Sequence, residues 1–127
     1  MIKRIFVLDD NQDILEFIKE ALLYEKFEVF ITSKSEHIIE AIQIYQPDLV
    51  ILDYKLSGPN GGDICKLIKT HPQLYNIPVI ICSAYLNKNA NLLKYGCDAI
   101  IAKPFGLEEL LDKINRLIEA WSEISFT

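Results

Sequence analysis

Basic charge is scarce in this chain. Thirteen Lys and Arg stand against eighteen Asp and Glu, a formal net charge of −5 at neutral pH. Gripping a phosphate backbone takes a basic stripe, so nucleic-acid binding by this domain is not expected. Histidine is scarcer still: His37 and His71 have no ligand companions at helical spacing and read as surface residues. The three cysteines, Cys65, Cys82 and Cys97, are odd in number and lack C-x-x-C spacing. That argues against a disulfide framework or a zinc site and for buried thiols in a reducing compartment. No apolar run approaches the roughly 18 residues of a membrane span. The start Met1-Ile2-Lys3-Arg4 leads into a short apolar run that ends at Asp9 and Asp10, unlike a signal peptide. A cytoplasmic protein with no membrane contact is the expectation.

What the chain does have is apolar content. Half of its 127 residues are hydrophobic, and mean hydropathy is +0.17. Disorder is excluded on that composition. A chain of this length forms one domain, residues 1–127, and buries roughly two-thirds of its unfolded surface.

Short apolar runs at 5–8, 27–31, 49–52, 79–82 and 99–102 alternate with longer amphipathic stretches. Apolar on both sides and rich in branched residues, the runs predict parallel strands covered on both faces by helices. Helical spacing is carried by Ile14, Phe17, Ile18 and Leu22, then by Ile38, Ile39, Ile42 and Tyr45. It continues in Ile64, Leu67 and Ile68, weakens over 86–95, and returns in Leu110, Leu111, Ile114, Leu117 and Ile118. Ser33 and Ser35 are candidate caps for the second helix, and Pro47 lies beyond its end. Five strands and five helices make a doubly wound α/β sheet with right-handed crossovers. The fourth helix, containing Asn87-Lys88-Asn89-Ala90-Asn91, is expected to be short or irregular.

In such a sheet the site lies beyond the carboxyl ends of the strands, at the point where strand order reverses. Asp9-Asp10 follow the first run, Asp53 the third, Ser83-Ala84 the fourth and Lys103-Pro104-Phe105 the fifth. Three crowded carboxylates repel unless a cation intervenes, and a hard, oxygen-seeking Mg²⁺ or Mn²⁺ meets that need without His or Cys. Lys103 can pair with one of them while the site is empty. With a phosphoryl group present, the cation bridges a carboxylate to a phosphoryl oxygen, and Lys103 and the Ser83 hydroxyl contact the others. One aspartate can then act as nucleophile and form an acyl phosphate. Asp53 is the best candidate, because it stands alone at the central strand while Asp9 and Asp10 form a pair.

The set Asp9-Asp10, Asp53, Ser83 and Lys103-Pro104 resembles the receiver domain of two-component response regulators, the CheY-like family, over essentially the whole chain. The resemblance implies strand order 2-1-3-4-5 and phosphorylation at Asp53. It implies Mg²⁺ held by Asp10, Asp53 and the Lys55 carbonyl, with Asp9 acting through water. Phosphoryl contacts then fall to Ser83, Ala84, Tyr54 and Lys103. A cis peptide before Pro104 would aim Lys103 into the site, and Gly61 stands where the family's turn after the nucleophile has its glycine. Lys55 and Tyr85 flank the phosphoryl group and are expected to shield it from water. Ser83 and Ile100 occupy the switch positions, Ile100 where the family usually has an aromatic residue. The implied partners are a sensor histidine kinase or histidine phosphotransfer protein and a downstream protein target, with the domain a monomer or weak homodimer.

Each residue also has a plainer reading. Asp9-Asp10 could cap a helix, Asp53 and Ser83 could simply end strands, and Lys103 could be a surface lysine. Trp121 and Phe126 read as packing or chain-end residues, and Glu108, Glu109 and Asp112 as charges favourable to a helix dipole. Joint occurrence outweighs the separate readings. A pseudo-receiver that binds partners without phosphorylation stays open. An aspartyl-nucleophile phosphatase is weakened by Lys55, since the haloacid-dehalogenase pattern has a second acid there. A flavin site is weakened by the acidic loop after the first strand. The sequence suits either a stand-alone receiver or one cut from a larger protein. It predicts a self-phosphorylating switch, and no turnover of an external substrate.

Overall fold

The computed structural model of the protein describes residues 2–84 and 91–126, with side chains as far as residue 120. The elements run β1 (Arg4–Leu8), α1 (Gln12–Tyr24), β2 (Glu28–Thr32), α2 (Ile38–Tyr45), β3 (Leu49–Asp53) and α3 (Gly61–Lys69). They continue with β4 (Val79–Ser83), a 3₁₀ turn (Leu92–Tyr95), β5 (Ala99–Ala102) and α4 (Leu107–Phe126). The five strands form one parallel sheet in the order β2-β1-β3-β4-β5. Strand order reverses at β1, which lies between β2 and β3.

Every residue of β3 and β4 is buried. Successive side chains of a strand face opposite ways, so a strand covered on both faces is apolar throughout. Phe6, Leu8, Val50, Leu52, Val79 and Ile81 pack with Ile38 and Ile42 of α2 and Ile64 and Ile68 of α3. Their neighbours Ile5, Val7, Leu49, Ile51, Ile80 and Ile101 pack on the other side with Leu15, Ile18 and Leu22 of α1 and Leu110 and Ile114 of α4. The edge strand β2 is only partly covered, which departs from the expectation of two covered faces for every strand.

Two local expectations need correction. Neither Ser33 nor Ser35 caps α2 with its side chain. The cap position is His37 in the left-handed region at φ 55°, and the Ser35 carbonyl accepts from Ile38 N–H at 3.2 Å. Among the described residues there are four α-helices and not five, and the fourth connection supplies only the 3₁₀ turn. Residues 85–90, the polar part of that connection, lie outside the described residues.

The start of α3 presses directly on the end of β3. A Cβ on Gly61 would run into the carbonyl of Asp53, so the close approach admits only glycine. Asn60 caps the helix, its side-chain oxygen accepting from Asp63 N–H at 2.8 Å. Gly61→Ala is expected to lower stability by about 1–3 kcal/mol by forcing that backbone contact apart. A urea midpoint equal to wild type would show that the contact relaxes freely.

Candidate functional site

Strand register assembles the site. Leu8 lies opposite Leu52 and Asp53 opposite Cys82, so the residue after β1 and the last residue of β3 emerge side by side. Ser83 lies opposite Ala102, which brings the start of the β5–α4 loop alongside. Asp9, Asp53 and Ser83 are the buried polar residues of the described chain, at 3%, 8% and 1% exposure. Burying charge costs heavily unless it is paired, and here the partner is the residue directly after β5. The Lys103 ammonium lies 2.8 Å from Asp9 Oδ2 and 3.0 Å from Asp53 Oδ1. Its own N–H donates to the Ser83 carbonyl at 2.9 Å, and the Lys103–Pro104 peptide is cis.

The plainer reading of the acidic pair as a helix cap is not what the structure shows. Asn11 caps α1 through its side chain, and Asp9 Oδ1 accepts from Asn11 N–H at 2.9 Å. Asp10 is exposed and turns to the loop after β3. Its Oδ2 accepts from both the N–H and the hydroxyl of Ser57, at 2.9 and 3.2 Å. Sequence reasoning missed Ser57, because nothing in the loop's composition announces a bond across 47 positions.

Burial raises the Asp53 pKa, and the Asp9 and Asp10 charges add to the rise; the Lys103 hydrogen bond only partly offsets them. Burial alone would lower the Lys103 pKa, but hydrogen bonds to Asp9 and Asp53 outweigh it and hold the ammonium charged. The three cysteines are free and buried, as expected. Burial pushes the Cys65 thiol up to about 12, and Cys82 is raised also.

A cavity of about 240 Å³ is lined by Asp9, Asp10, Asp53, Lys55, Ala84 and Lys103, with Asn11 and Ile14 at its side. As they stand, no three carboxylate, His or Cys side chains of the described residues close on one metal position. Asp9 and Asp53 face Lys103, while Asp10 faces Ser57. The donors nevertheless suit a hard cation: they are oxygens, two of them carboxylates at the rim of one cavity. The residues that could hold it are those the family resemblance implies, Asp10, Asp53 and Lys55, all of which line this cavity.

Tyr54, expected to contact a phosphoryl group, makes two contacts of its own here. Its N–H donates to the Cys82 carbonyl at 2.8 Å, and its hydroxyl lies 3.4 Å from that of Tyr95; it is not among the residues lining the acidic cavity. The Tyr95 ring fills the space over Gly62, where a Cβ would collide with it. Ile100 is half-buried and packs in the same layer as Tyr54 and Tyr95. Tyr85 lies outside the described residues.

Known proteins share this sequence pattern and fold. The family model for the response regulator receiver domain matches residues 5–115. The chain belongs to the response regulator receiver family. Its relatives include the response regulator ArlR of Staphylococcus saprophyticus, 32% identical over 117 residues, covering 91% of this chain and 52% of that protein. The heme response regulator HssR of the same organism is 27% identical over 118 residues, covering 91% and 51%. This receiver chain thus spans about half the length of the curated relatives it matches. A CheY-like receiver domain from Methanospirillum hungatei superposes with a TM-score of 0.87 at 28% identity, covering 97% of this chain and 98% of that one. CheY4 of Vibrio cholerae shares the fold, with a TM-score of 0.85 at 19% identity over 92% and 99%. Receiver domains are signalling modules of two-component systems and not turnover enzymes. They generally bind Mg²⁺ at the phosphorylation site and interact with histidine kinases. Among the described residues, no helix is long and apolar enough to cross a membrane.

Because folding raises the Asp53 pKa, its ionised form opposes folding; that penalty is absent at pH below the unfolded carboxylate value and grows as pH rises through the folded one. Asp53→Asn is therefore expected to raise the melting temperature by a few degrees at pH 7 and by less near pH 4. A variant that melts below wild type at pH 7 would show that Lys103 already compensates the buried charge.

Proposed function

We propose that this receiver accepts a phosphoryl group on Asp53 in a Mg²⁺-dependent reaction. The donor would be a histidine kinase or a histidine phosphotransfer protein in the cytoplasm. The observation that carries the reading is the Lys103 ammonium bridging buried Asp9 and Asp53 beside the buried Ser83. In the transfer, an Asp53 carboxylate oxygen attacks phosphorus, a P–O bond forms, and the P–N bond to the donor imidazole breaks. The bonding pair leaves with the imidazole, which takes up a proton. A bound Mg²⁺ would supply charge neutralisation for the phosphoryl oxygens.

The chain's own residues do the rest. Lys103 exchanges its bond to Asp53 Oδ1 for one to a phosphoryl oxygen. Ser83 donates its hydroxyl to another, with Ala84 beside it. A shift of Ser83 towards the phosphoryl group, together with packing at Ile100, would alter the surface read by a downstream protein. An apolar groove of about 410 Å³, lined by Phe17, Pro104 and Phe105, shares Asn11, Ile14, Ala84 and Lys103 with the acidic cavity. A donor reaching Asp53 would rest against it. Lys55, at the cavity rim, and Tyr85 would shield the acyl phosphate from water, so Lys55→Ala/Tyr85→Ala should shorten its half-life.

Intact mass after incubation with Mg²⁺ and acetyl phosphate tests the reading. A single phosphoryl adduct of about 80 Da is expected, lost without Mg²⁺ and in Asp53→Asn. No adduct in the wild type, with partner binding intact, would favour a pseudo-receiver acting through the unmodified domain.

A further inference from the structure

Asp10 differs from the other two carboxylates. Asp9 and Asp53 are buried and share Lys103, whereas Asp10 is exposed. Left to itself, an exposed aspartate samples its rotamers and presents either oxygen in many directions. Here two donors from one residue fix it, and both converge on the same oxygen, Oδ2. At an exposed position neither donor needs a protein partner, because water would satisfy both. Orientation of Asp10 is therefore the consequence of the arrangement, and rescue of a buried polar group is not.

Ser57 is well placed for this. It stands four positions after Asp53, the last residue of β3, and two after Lys55, on the loop that carries the proposed Lys55 carbonyl donor. Its carbonyl accepts from the Ser35 hydroxyl at 3.5 Å, which ties the loop in turn to the β2–α2 connection. The loop and the acidic turn after β1 are thereby joined across 47 positions.

We propose that Ser57 is a positioning residue for the divalent cation: its N–H and hydroxyl hold Asp10 Oδ2 and leave Oδ1 for the metal. The proposal rests on the reading of Asp10 and Asp53 as the cation's carboxylates. A ligand carboxylate already hydrogen-bonded through its second oxygen needs less ordering when the ion arrives. Removing such outer partners typically weakens metal binding about 10–100-fold.

The test is the Mn²⁺ dissociation constant by electron paramagnetic resonance of the free ion, with Mg²⁺ as competitor and thermal unfolding to confirm folding. Ser57→Ala removes the hydroxyl bond and should weaken Mn²⁺ binding several-fold. Ser57→Pro removes both donors and should weaken it about tenfold or more, while Ser57→Thr should restore wild-type affinity. If the proline variant does not fold, the alanine and threonine variants decide. Wild-type affinity in Ser57→Ala, or no recovery in Ser57→Thr, would overturn the role of Ser57 and leave the cation site standing. A wild type that binds no more Mn²⁺ than Asp10→Ala/Asp53→Asn would instead overturn the cation site itself, and this inference with it.

Discussion

The Lys103 ammonium, held 2.8 Å from Asp9 and 3.0 Å from Asp53, is the contact on which the rest of the site depends. Two buried carboxylates side by side at the end of an apolar sheet would repel each other and lack solvation. A single cation from the loop after β5 offsets both effects, but breaking such an arrangement leaves charge buried without a partner. The sheet makes the encounter possible. Asp53 ends β3 while Asp9 and Lys103 directly follow β1 and β5, and all three reach one edge because the strands run the same way. The charges then sit at the point where strand order reverses, where a parallel sheet leaves an opening between its crossovers.

Close backbone approach completes the enclosure. Gly61 lets α3 begin against the carbonyl of Asp53, and Gly62 leaves room for the Tyr95 ring. Tyr95 meets Tyr54, which follows Asp53 directly, with ring centroids 6.2 Å apart. The half-buried Ile100 packs in that layer too. An aromatic pair thus links the residue after Asp53 to the 3₁₀ turn in a chain whose fifth strand carries isoleucine three positions before Lys103.

The strands were legible because β3 and β4 are buried on both faces, so continuous apolar runs had no other reading at that length. The site was legible because its charged residues each follow such a run, and in a parallel sheet those ends must coincide. Helix caps were less legible. Ser33 and Ser35 have the right chemistry for capping α2, yet the chain enters that helix through a left-handed His37. Asp9 and Asp10 have capping chemistry as well, but the neighbouring Asn11 takes that place in α1.

By itself the sequence determined the strand–helix alternation, the parallel sheet and the residue types gathered at one edge of it. Those follow from local hydrophobic periodicity and from what stands next to each run. Tertiary structure decided how the three carboxylates divide: two to Lys103 and one to Ser57. It also decided that Tyr54 turns to Tyr95, and which asparagine caps which helix. Such choices rest on contacts between residues tens of positions apart, whose geometry exists only once the sheet has closed, and periodicity carries no record of them.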